Sequence, residues 1–366
     1  MVLCLAMAAP CMVLGQAFKL TVGYQPYDTI SYSAAVIRAR GLWKKYLPSG
    51  SQVRFIPALQ GSIIAEQMLK GEAQIGYLGD MPALVAVSKR DIASIKIVAS
   101  TGFSPGQRCD LIMVRADAPR FGSPEEAVTW LNGKTFVTPR GSCADRFLGT
   151  LTRAGIIKPG LVQYAPLDKI VEKLRARSVD AAVLWEPTAS RIGDLVGEGL
   201  ARIVVTGKTY ENRDAGALAM REDFMLNYPE VAMGWLRTEL EAQRFLLDPG
   251  NAAEVAKIVE SQAKGISARV AWFSLYGRIP DANGGSPVRD VKPFRLDVRI
   301  RLFFEESYRY LYEAGLVKPA VLPPGAIDDA LARQLAKEQA LPFPLGIINA
   351  APLEKMPPGL DSGMRN

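Results

Sequence analysis

A carboxylate follows one of the apolar strands of this chain at the point where a helix must begin. In "AQIGYLGDMPALVAVSKR", Asp80 lies between a short apolar strand ending at Gly79 and a helix opened by Pro82. An aspartate at this position either caps the helix or offers its carboxylate to an ammonium, hydroxyl or amide group of a ligand. The sequence leaves both roles open and makes Asp80 a candidate ligand contact.

Two further turns place polar groups at the start of a helix. Their candidate residues are Gln60, Gly61 and Ser62 in "QGSIIAEQ", and Gly141, Ser142 and Cys143 in "GSCADRFL". Free backbone N–H groups and the helix dipole make such ends receptive to anions. Ser142 is also spaced to Asp145 as a capping-box-like pair. Each turn alone could be an ordinary helix cap, so the prediction of an anion site requires several of them to face one cleft.

Two arginines and one aromatic–acidic pair complete the candidate set. Arg108 and Arg140 are suited to bidentate pairing with a carboxylate or sulfonate, the alternative being a solvated surface position. In "WEP", Trp185 forms a wall or core residue and Glu186 either contacts a ligand or serves the fold. We expect these groups to bind a small organic anion.

The chain offers little that would perform catalysis. It contains no histidine, which removes the usual general base of hydrolases and the commonest metal ligand. Neither a GxGxxG turn nor a Walker A sequence is present, and the cysteine spacing does not fit a zinc site. We therefore expect no catalytic residue, no cofactor and no metal.

The elements that must position these residues form a repeated strand–turn–helix unit. Three units precede the middle of the chain and three follow it; their strands are "KLTVGYQP", "QVRFIPALQG", "AQIGYLGD", "KTFVTPRG", "LVQYAP" and "DAAVLWEP". Two extended segments follow each triplet. The sequence predicts an α/β fold with two doubly wound parallel sheets, one in each lobe, joined by a two-strand hinge near Cys109 to Leu111 and Asp214 to Ala217.

This pattern predicts the domain bounds. We expect lobe I to comprise residues 18–110 and 216–321, and lobe II residues 111–215. Most of residues 222–316 read as helices that pack back on lobe I, with a long polar loop, "YGRIPDANGGSPVRDVKPF", between them. Residues 322–366 form a Pro-rich C-terminal extension, expected to be extended or partly disordered apart from one helix at about residues 326–339.

The N-terminal residues indicate export. Residues 1–17 contain an apolar run followed by small residues, as in a secretory signal peptide. The run is too short to span a membrane, so we expect an exported protein without direct membrane insertion. Cleavage would leave Cys109 and Cys143, which form either a disulfide or two separate buried thiols. We predict the disulfide.

The composition of the chain limits the kinds of molecule that it is expected to bind. The chain has 366 residues, of which 49% are hydrophobic, and a net charge of +7. This mild basic balance suits small anions, and the basic residues form no run of the kind that binds nucleic acid. No DNA-binding module precedes the folded region, which argues against the effector domain of a regulator.

Four sequence blocks carry a family resemblance. They are "LTVGYQPYDTISYSAAVIRARGLWKKYLP", "ALQGSIIAEQMLKGEAQIGYLGDMPAL", "LNGKTFVTPRGSCADRFLGTLTRAGI" and "LRARSVDAAVLWEPTASRI". In this order they resemble ABC-transporter substrate-binding proteins of the sulfonate/taurine/nitrate group, over roughly residues 19–319. The chain departs from the taurine-type proteins at Gly79 and Asp80, where they typically carry Gly-Ser, so the resemblance does not identify the ligand.

The resemblance implies a type II periplasmic binding fold that closes around a ligand. The ligand would be held by Gln25 and Tyr27, Gly61 and Ser62, Gly79 and Asp80, Gly141 and Ser142, and Trp185 and Glu186. The partners would be the permease and, through it, the ATPase of an importer, with the binding protein itself a monomer. The alternative is a thiamin-pyrimidine-synthase-like enzyme or a pyrimidine-precursor binding protein of the same fold; that enzyme group relies on histidine, which this chain lacks.

Overall fold

The chain is built on two β-sheets, seen in a computed structural model that describes residues 17–360. The first sheet has seven strands: β1 (Lys19–Tyr24), β2 (Gln52–Pro57), β3 (Ile75–Gly79), β4 (Ile95–Ser104), β10 (Asp214–Arg221), β11 (Val288–Lys292) and β12 (Gly346–Asn349). The second has five: β5 (Leu111–Arg115), β6 (Thr135–Thr138), β7 (Leu161–Tyr164), β8 (Ala181–Leu184) and β9 (Ala201–Thr206). We call the parts built on these sheets lobe I and lobe II.

Each sheet has a parallel part extended by antiparallel strands. The first is ordered β12-β11-β4-β10-β3-β1-β2, with β1 parallel to β2 and β3, and β10 antiparallel to β3 and β4. The second is ordered β7-β6-β8-β5-β9, with β6 parallel to β7 and β8, and β5 antiparallel to β8 and β9. The six predicted strand–turn–helix units and the α/β class are confirmed. The sheets are mixed because β10 runs against β3 and β4 in the first sheet, and β5 runs against β8 and β9 in the second.

Thirteen α-helices are present in residues 17–360. They are α1 (Tyr32–Arg40), α2 (Gly61–Leu69), α3 (Asp80–Ser88), α4 (Pro124–Leu131), α5 (Cys143–Arg153), α6 (Leu167–Arg175), α7 (Thr188–Ile192), α8 (Glu222–Asn227), α9 (Pro229–Leu247), α10 (Ala252–Gln262), α11 (Ala268–Tyr276), α12 (Val298–Glu313) and α13 (Ala330–Glu338). Helices α9 and α10 pack on α1, and α12 packs on α3. The helical region that follows β10 therefore covers lobe I, as its sequence predicted.

The chain passes between the sheets twice, through residues 105–110 and 207–213. The first crossover includes Cys109 of the predicted hinge, whereas the second ends just before the predicted segment Asp214 to Ala217. All of β10, from Asp214, pairs in the first sheet, so Asp214 and Ala215 lie in lobe I. The crossovers therefore place the carboxyl ends of the parallel strands of each lobe opposite each other.

The C-terminal segment is folded, unlike our expectation. Strand β12 pairs antiparallel with β11, and β11 itself lies inside the segment expected to be a polar loop. Helix α13 packs against α9 and β4, with Leu335 buried. The high proline content of this segment did not prevent folding. Its strand β12 pairs with β11 at the edge of the lobe I sheet, and its helix α13 packs on the same lobe.

Two expectations fall wholly or partly on undescribed residues. The signal peptide of residues 1–17 lies, except for Ala17, outside the described residues, as does the end of the chain after residue 360. Across residues 17–360, no helix is both long and apolar enough to cross a membrane.

Candidate ligand-binding site

A cavity lies between the two lobes at the carboxyl ends of their parallel strands. Its walls border about 440 Å³ of empty space, part of which is open to solvent. Its lining residues are Gln25, Asp28, Gln60, Gly61, Ser62, Gly79, Pro82, Pro139, Arg140, Gly141, Ser142, Cys143 and Trp185. The structure thus brings ten of the predicted site residues together and adds Asp28, Pro82 and Pro139.

The lobe I wall is formed by the start of α2 and the turn after β1. The backbone N–H groups of Gly61 and Ser62 have no acceptor among residues 17–360. Gly61 must be a glycine, because a Cβ there would lie 2.6 Å from the ring of Pro82. The side-chain amide of Gln25 donates to Tyr77 O (3.4 Å), which orients it at the cavity.

The lobe II wall is formed by the start of α5. Ser142 Oγ accepts the Asp145 N–H (3.2 Å), and Asp145 Oδ2 accepts the Gly141 N–H (2.8 Å). The predicted capping-box-like pair is therefore formed, and it occupies the Gly141 N–H. The N–H groups of Ser142 and Cys143 have no acceptor among residues 17–360. Gly141 adopts φ 69°, a left-handed conformation that suits glycine.

Arg140 supplies a cationic side chain at this wall. The side chain is exposed, and its guanidinium carbon lies 5.6 Å from the ring centroid of Tyr164. Within residues 17–360 it has no hydrogen bond and no carboxylate within ion-pair distance, although its charge opposes the rise that burial causes in the pKa of nearby Asp145. Its N–H groups are therefore free to pair with a carboxylate or sulfonate in the cavity.

Asp28 supplies a carboxylate on the opposite wall. Its Oδ1 accepts the Ile30 N–H (3.1 Å) at the start of a short 3-10 helix. Burial raises the pKa of Asp28 to about 7, with nearby Asp214 and Asp80 adding to the rise and Arg108 opposing it. The sequence analysis missed Asp28, although it follows the predicted contacts Gln25 and Tyr27 at the same turn.

Four predicted contacts do not line the cavity, and one of them is Arg108. Only 1% of its side chain is exposed. Its Nη2 lies 2.6 Å from Asp214 Oδ1, and its Nη1 lies 3.6 Å from Asp290 Oδ2. Arg108 is thus buried at the first crossover, where its charge also acts on the carboxyl of Asp28.

Asp80 also lies outside the cavity wall, fully buried. It begins α3, where its Oδ1 accepts the Met81 N–H (2.7 Å), and its Oδ2 lies 3.4 Å from Nη2 of Arg146 on α5. Burial raises the pKa of Asp80 to about 6, against the lowering effect of Arg146. The carboxylate therefore joins the two lobes in this structure.

Tyr27 and Glu186 form contacts between the lobes. Tyr27 O accepts the indole N–H of Trp185 (3.2 Å), a residue that does line the cavity. Glu186 is fully buried, and its Oε1 lies 2.6 Å from Nη2 of Arg289 on β11. These contacts hold the Trp185 ring against the lobe I wall.

The predicted disulfide is present. Cys109 and Cys143 are bridged, with their Cα atoms 6.0 Å apart. The bridge lies beside the cavity, since Cys143 is one of its lining residues.

The cavity holds few groups suited to chemistry. Ser142 Oγ donates to Pro139 O (2.7 Å), so it is not paired with a base. The part of the chain that the structure describes has no cluster of three or more acidic, cysteine or histidine residues arranged to hold a metal ion. The arrangement is suited to hydrogen bonding and charge pairing with a small molecule.

The chain is similar to known binding proteins in sequence and in fold. A model of the NMT1-like family matches residues 137–260. The taurine-binding periplasmic protein of Escherichia coli (strain K12) is 25% identical over 256 residues, which are 66% of this chain and 73% of that protein.

Solved structures share the fold. The aliphatic sulphonate binding protein SsuA from Escherichia coli is 21% identical, with a TM-score of 0.66 over 87% of this chain and 100% of that chain. The nitrate-binding protein NrtA from Synechocystis PCC 6803 is 15% identical, with a TM-score of 0.67 over 89% and 90%. The desulfurization enzyme DSZB is 16% identical, with a TM-score of 0.60 over 88% and 99%. The fold therefore serves both binding proteins and an enzyme.

The fold and the cleft between its lobes define the class: this is a two-lobed protein of the type II periplasmic-binding-protein architecture. Within that class, the predicted resemblance to ABC-transporter substrate-binding proteins of the sulfonate/taurine/nitrate group is confirmed.

Proposed function

We propose that this chain is the solute-binding protein of an ABC importer and that it captures a small organic anion between its lobes. The observation that carries the proposal is the cavity itself. Two helix N-termini, one from each lobe, and the unpaired Arg140 converge on about 440 Å³ of space. Such an arrangement stabilises negative charge without any catalytic group.

The two walls differ in charge, and this suggests the polarity of the ligand. The anionic group would bind the N–H groups of Ser142 and Cys143 and the guanidinium of Arg140. The other end would meet Gln25 and the carboxylate of Asp28 on lobe I. A ligand with a negative end and a donor or cationic end, such as an amino-sulfonate, fits both walls. A dianion charged at both ends would be repelled by Asp28.

The chain would bind its ligand without converting it. Histidine is missing from the sequence, and the Ser142 hydroxyl has a backbone partner in place of a base. The desulfurization enzyme of the same fold makes catalysis worth testing. The thiamin-pyrimidine-synthase-like alternative has no observation in its favour.

Export and partners follow from the same proposal. The chain would act in the periplasm, where the taurine-binding relative is located by its name. It would deliver ligand to the permease of the importer and, through it, to the ATPase. It would function as a monomer that closes on its ligand by movement at the two crossovers.

A binding screen tests the function. We would measure thermal shifts and then calorimetry with aliphatic sulfonates, amino-sulfonates, carboxylates and ureides. We expect one class of these compounds to raise the melting temperature and to bind with 1:1 stoichiometry. Closure of the lobes on this ligand should also reduce the radius of gyration measured by X-ray scattering. The ligand should be recovered unchanged by mass spectrometry. If no small anion binds, or if the bound compound is converted, the proposed function is wrong.

A further inference from the structure

The disulfide joins the anion-binding end of the cavity to the hinge. Cys143 is the first residue of α5 and lines the cavity, whereas Cys109 lies on the first crossover between the sheets. Both residues are buried. The bridge is thus a covalent connection between a wall of the site and the segment about which the lobes are joined.

The hinge end of this bridge is firmly held. The Cys109 N–H donates to Asp214 Oδ2 (3.3 Å), and the neighbouring Arg108 donates to Oδ1 of the same carboxylate (2.6 Å). Asp214 begins β10, which lies between β3 and β4 in the lobe I sheet. The first residue of α5 is therefore tied to a point that the lobe I sheet positions.

The turn before α5 is held mainly by its own hydrogen bonds. Ser142 Oγ bonds to Pro139 O, and Asp145 bonds to both Gly141 and Ser142. These bonds preserve the shape of the turn but do not fix its distance from lobe I. Outside the turn, Leu316 lies beside Gly141, and Tyr310 donates to Asp145 O (3.2 Å). The non-covalent link to lobe I comes one residue later, where Arg146 pairs with Asp80 (3.4 Å).

The corresponding end in lobe I needs no such connection. Gly61 lies directly against Pro82 of α3, in the same lobe, and the two helix starts pack together. Non-covalent packing sets the position of the α2 amides. The two anion-binding ends are thus positioned in physically different ways.

We propose that the Cys109–Cys143 bridge is a positioning element of the binding site, so that ligand affinity depends on its oxidation state. The inference rests on the proposed function, because it assumes that an anion binds at α5. Reduction by a phosphine adds two electrons and two protons to the bridge, giving two thiols, and the phosphine becomes an oxide with oxygen from water. The freed turn would then shift relative to lobe I.

Amide hydrogen exchange tests the positioning without any ligand. We compare the oxidised chain with the same chain after phosphine treatment and with the double variant Cys109→Ser/Cys143→Ser. The hydrogen-bonded amides of Gly141, Asp145 and Arg146 should exchange about tenfold faster without the bridge. The Ile63 amide at the start of α2 should be unchanged. Equal rates at residues 141–146 in all three forms would overturn the proposal.

Binding of methanesulfonate then tests the consequence. Its dissociation constant should rise about 3- to 30-fold in both bridge-free forms, the range of a helix-end contribution to anion binding. The matched control is Val128→Ala on α4 of lobe II, a buried change away from the cavity. That variant should lose thermal stability but keep its affinity for methanesulfonate. The control therefore separates an effect of the bridge on the position of the turn from an effect of lower overall stability.

The outcomes are distinguishable. Unchanged affinity in the bridge-free forms, with native binding intact, contradicts the proposal but leaves the proposed function standing. A native protein that binds no methanesulfonate and no other anion of the screen counts against the proposed function, and the affinity claim of this proposal fails with it. The exchange rates at residues 141–146 then still show whether the bridge positions the turn.

Discussion

The guanidinium of Arg146 lies 3.4 Å from the carboxylate of Asp80, so that α5 of lobe II is paired with α3 of lobe I. Arg146 also lies 3.9 Å from Asp110, donates to Arg213 O (2.5 Å) and is positioned over the Phe303 ring. The helix that begins at the anion-binding turn is thus linked one turn later to lobe I, to a crossover and to α12. Asp80 takes part in this junction between the lobes.

Loss of Arg146 should cost more stability than loss of Asp80. Arg146→Gln leaves two buried carboxylates without their cation and should lower the free energy of unfolding by about 3 kcal/mol at pH 7.5. Asp80→Asn should cost less than about 1 kcal/mol, because burial already raises the pKa of Asp80 to about 6. Urea unfolding measures the loss of stability in both variants. The control is Arg309→Gln, which changes an exposed arginine. Equal losses in the two variants would contradict this assignment.

Asp28 should make stability depend on pH. Its pKa is raised from 3.8 to about 7, so the native carboxyl keeps a proton between about pH 4 and 7 that the unfolded chain has lost. Stability therefore falls as pH rises through this window. Asp28→Asn should be more stable than the native chain by about 1–3 kcal/mol at pH 8 and equal to it below about pH 4. Exposed Asp91→Asn should show neither effect.

Asp28 should also influence ligand choice. An amino-sulfonate places its ammonium near this carboxylate, so its affinity should rise with pH up to about 7 and then level off. The variant Asp28→Asn should bind such a ligand about tenfold more weakly, the scale of a hydrogen bond to a charged group, and bind methanesulfonate equally well. Calorimetry between pH 5 and 8 provides the measurement, and a pH-independent affinity would exclude this role.

Arg140 should contribute affinity without contributing stability. Arg140→Gln removes a cation that has no ion-pair partner within residues 17–360, so the melting temperature should be unchanged. Affinity for a sulfonate should fall about 10- to 100-fold, as for a charge-assisted pair. Arg120→Gln, on an exposed loop of the same lobe, is the matched control. A similar affinity in both variants would remove Arg140 from the site.

The Glu186–Arg289 pair should be needed for the junction of the lobes. Both side chains are fully buried, so Arg289→Met leaves an unpaired carboxylate and should lower the free energy of unfolding by about 3–5 kcal/mol. The double variant Glu186→Gln/Arg289→Met should be more stable than Arg289→Met alone, since the uncompensated charge is gone. Denaturant unfolding of Arg289→Met, Glu186→Gln and the double variant measures this, and strictly additive losses would argue against coupling.

The sequence predicted the fold well because the fold depends on local patterns. Apolar strands such as the one before Gly79, followed by a turn and an amphipathic helix, identified the parallel units and the two crossovers. The segments around Val288 and Ile347 were missed. Their strands have weak patterns of their own, and they form only because the exposed edge beside β4 offers hydrogen-bond partners.

The sequence by itself determined which turns would carry free amides, since Gly61, Ser62, Ser142 and Cys143 follow directly from strand, turn and helix spacing. Only the tertiary structure decided which charged side chains face the cavity. Three predicted contacts instead pair in the interior with residues distant in sequence: Arg108 with Asp214, Asp80 with Arg146, and Glu186 with Arg289. Asp28, which lacks a cationic partner within ion-pair distance among residues 17–360, lines the cavity instead. The physical reason is that burying a charge requires a counter-charge close in space, and distance along the chain does not reveal which residues the folding of two lobes will bring together.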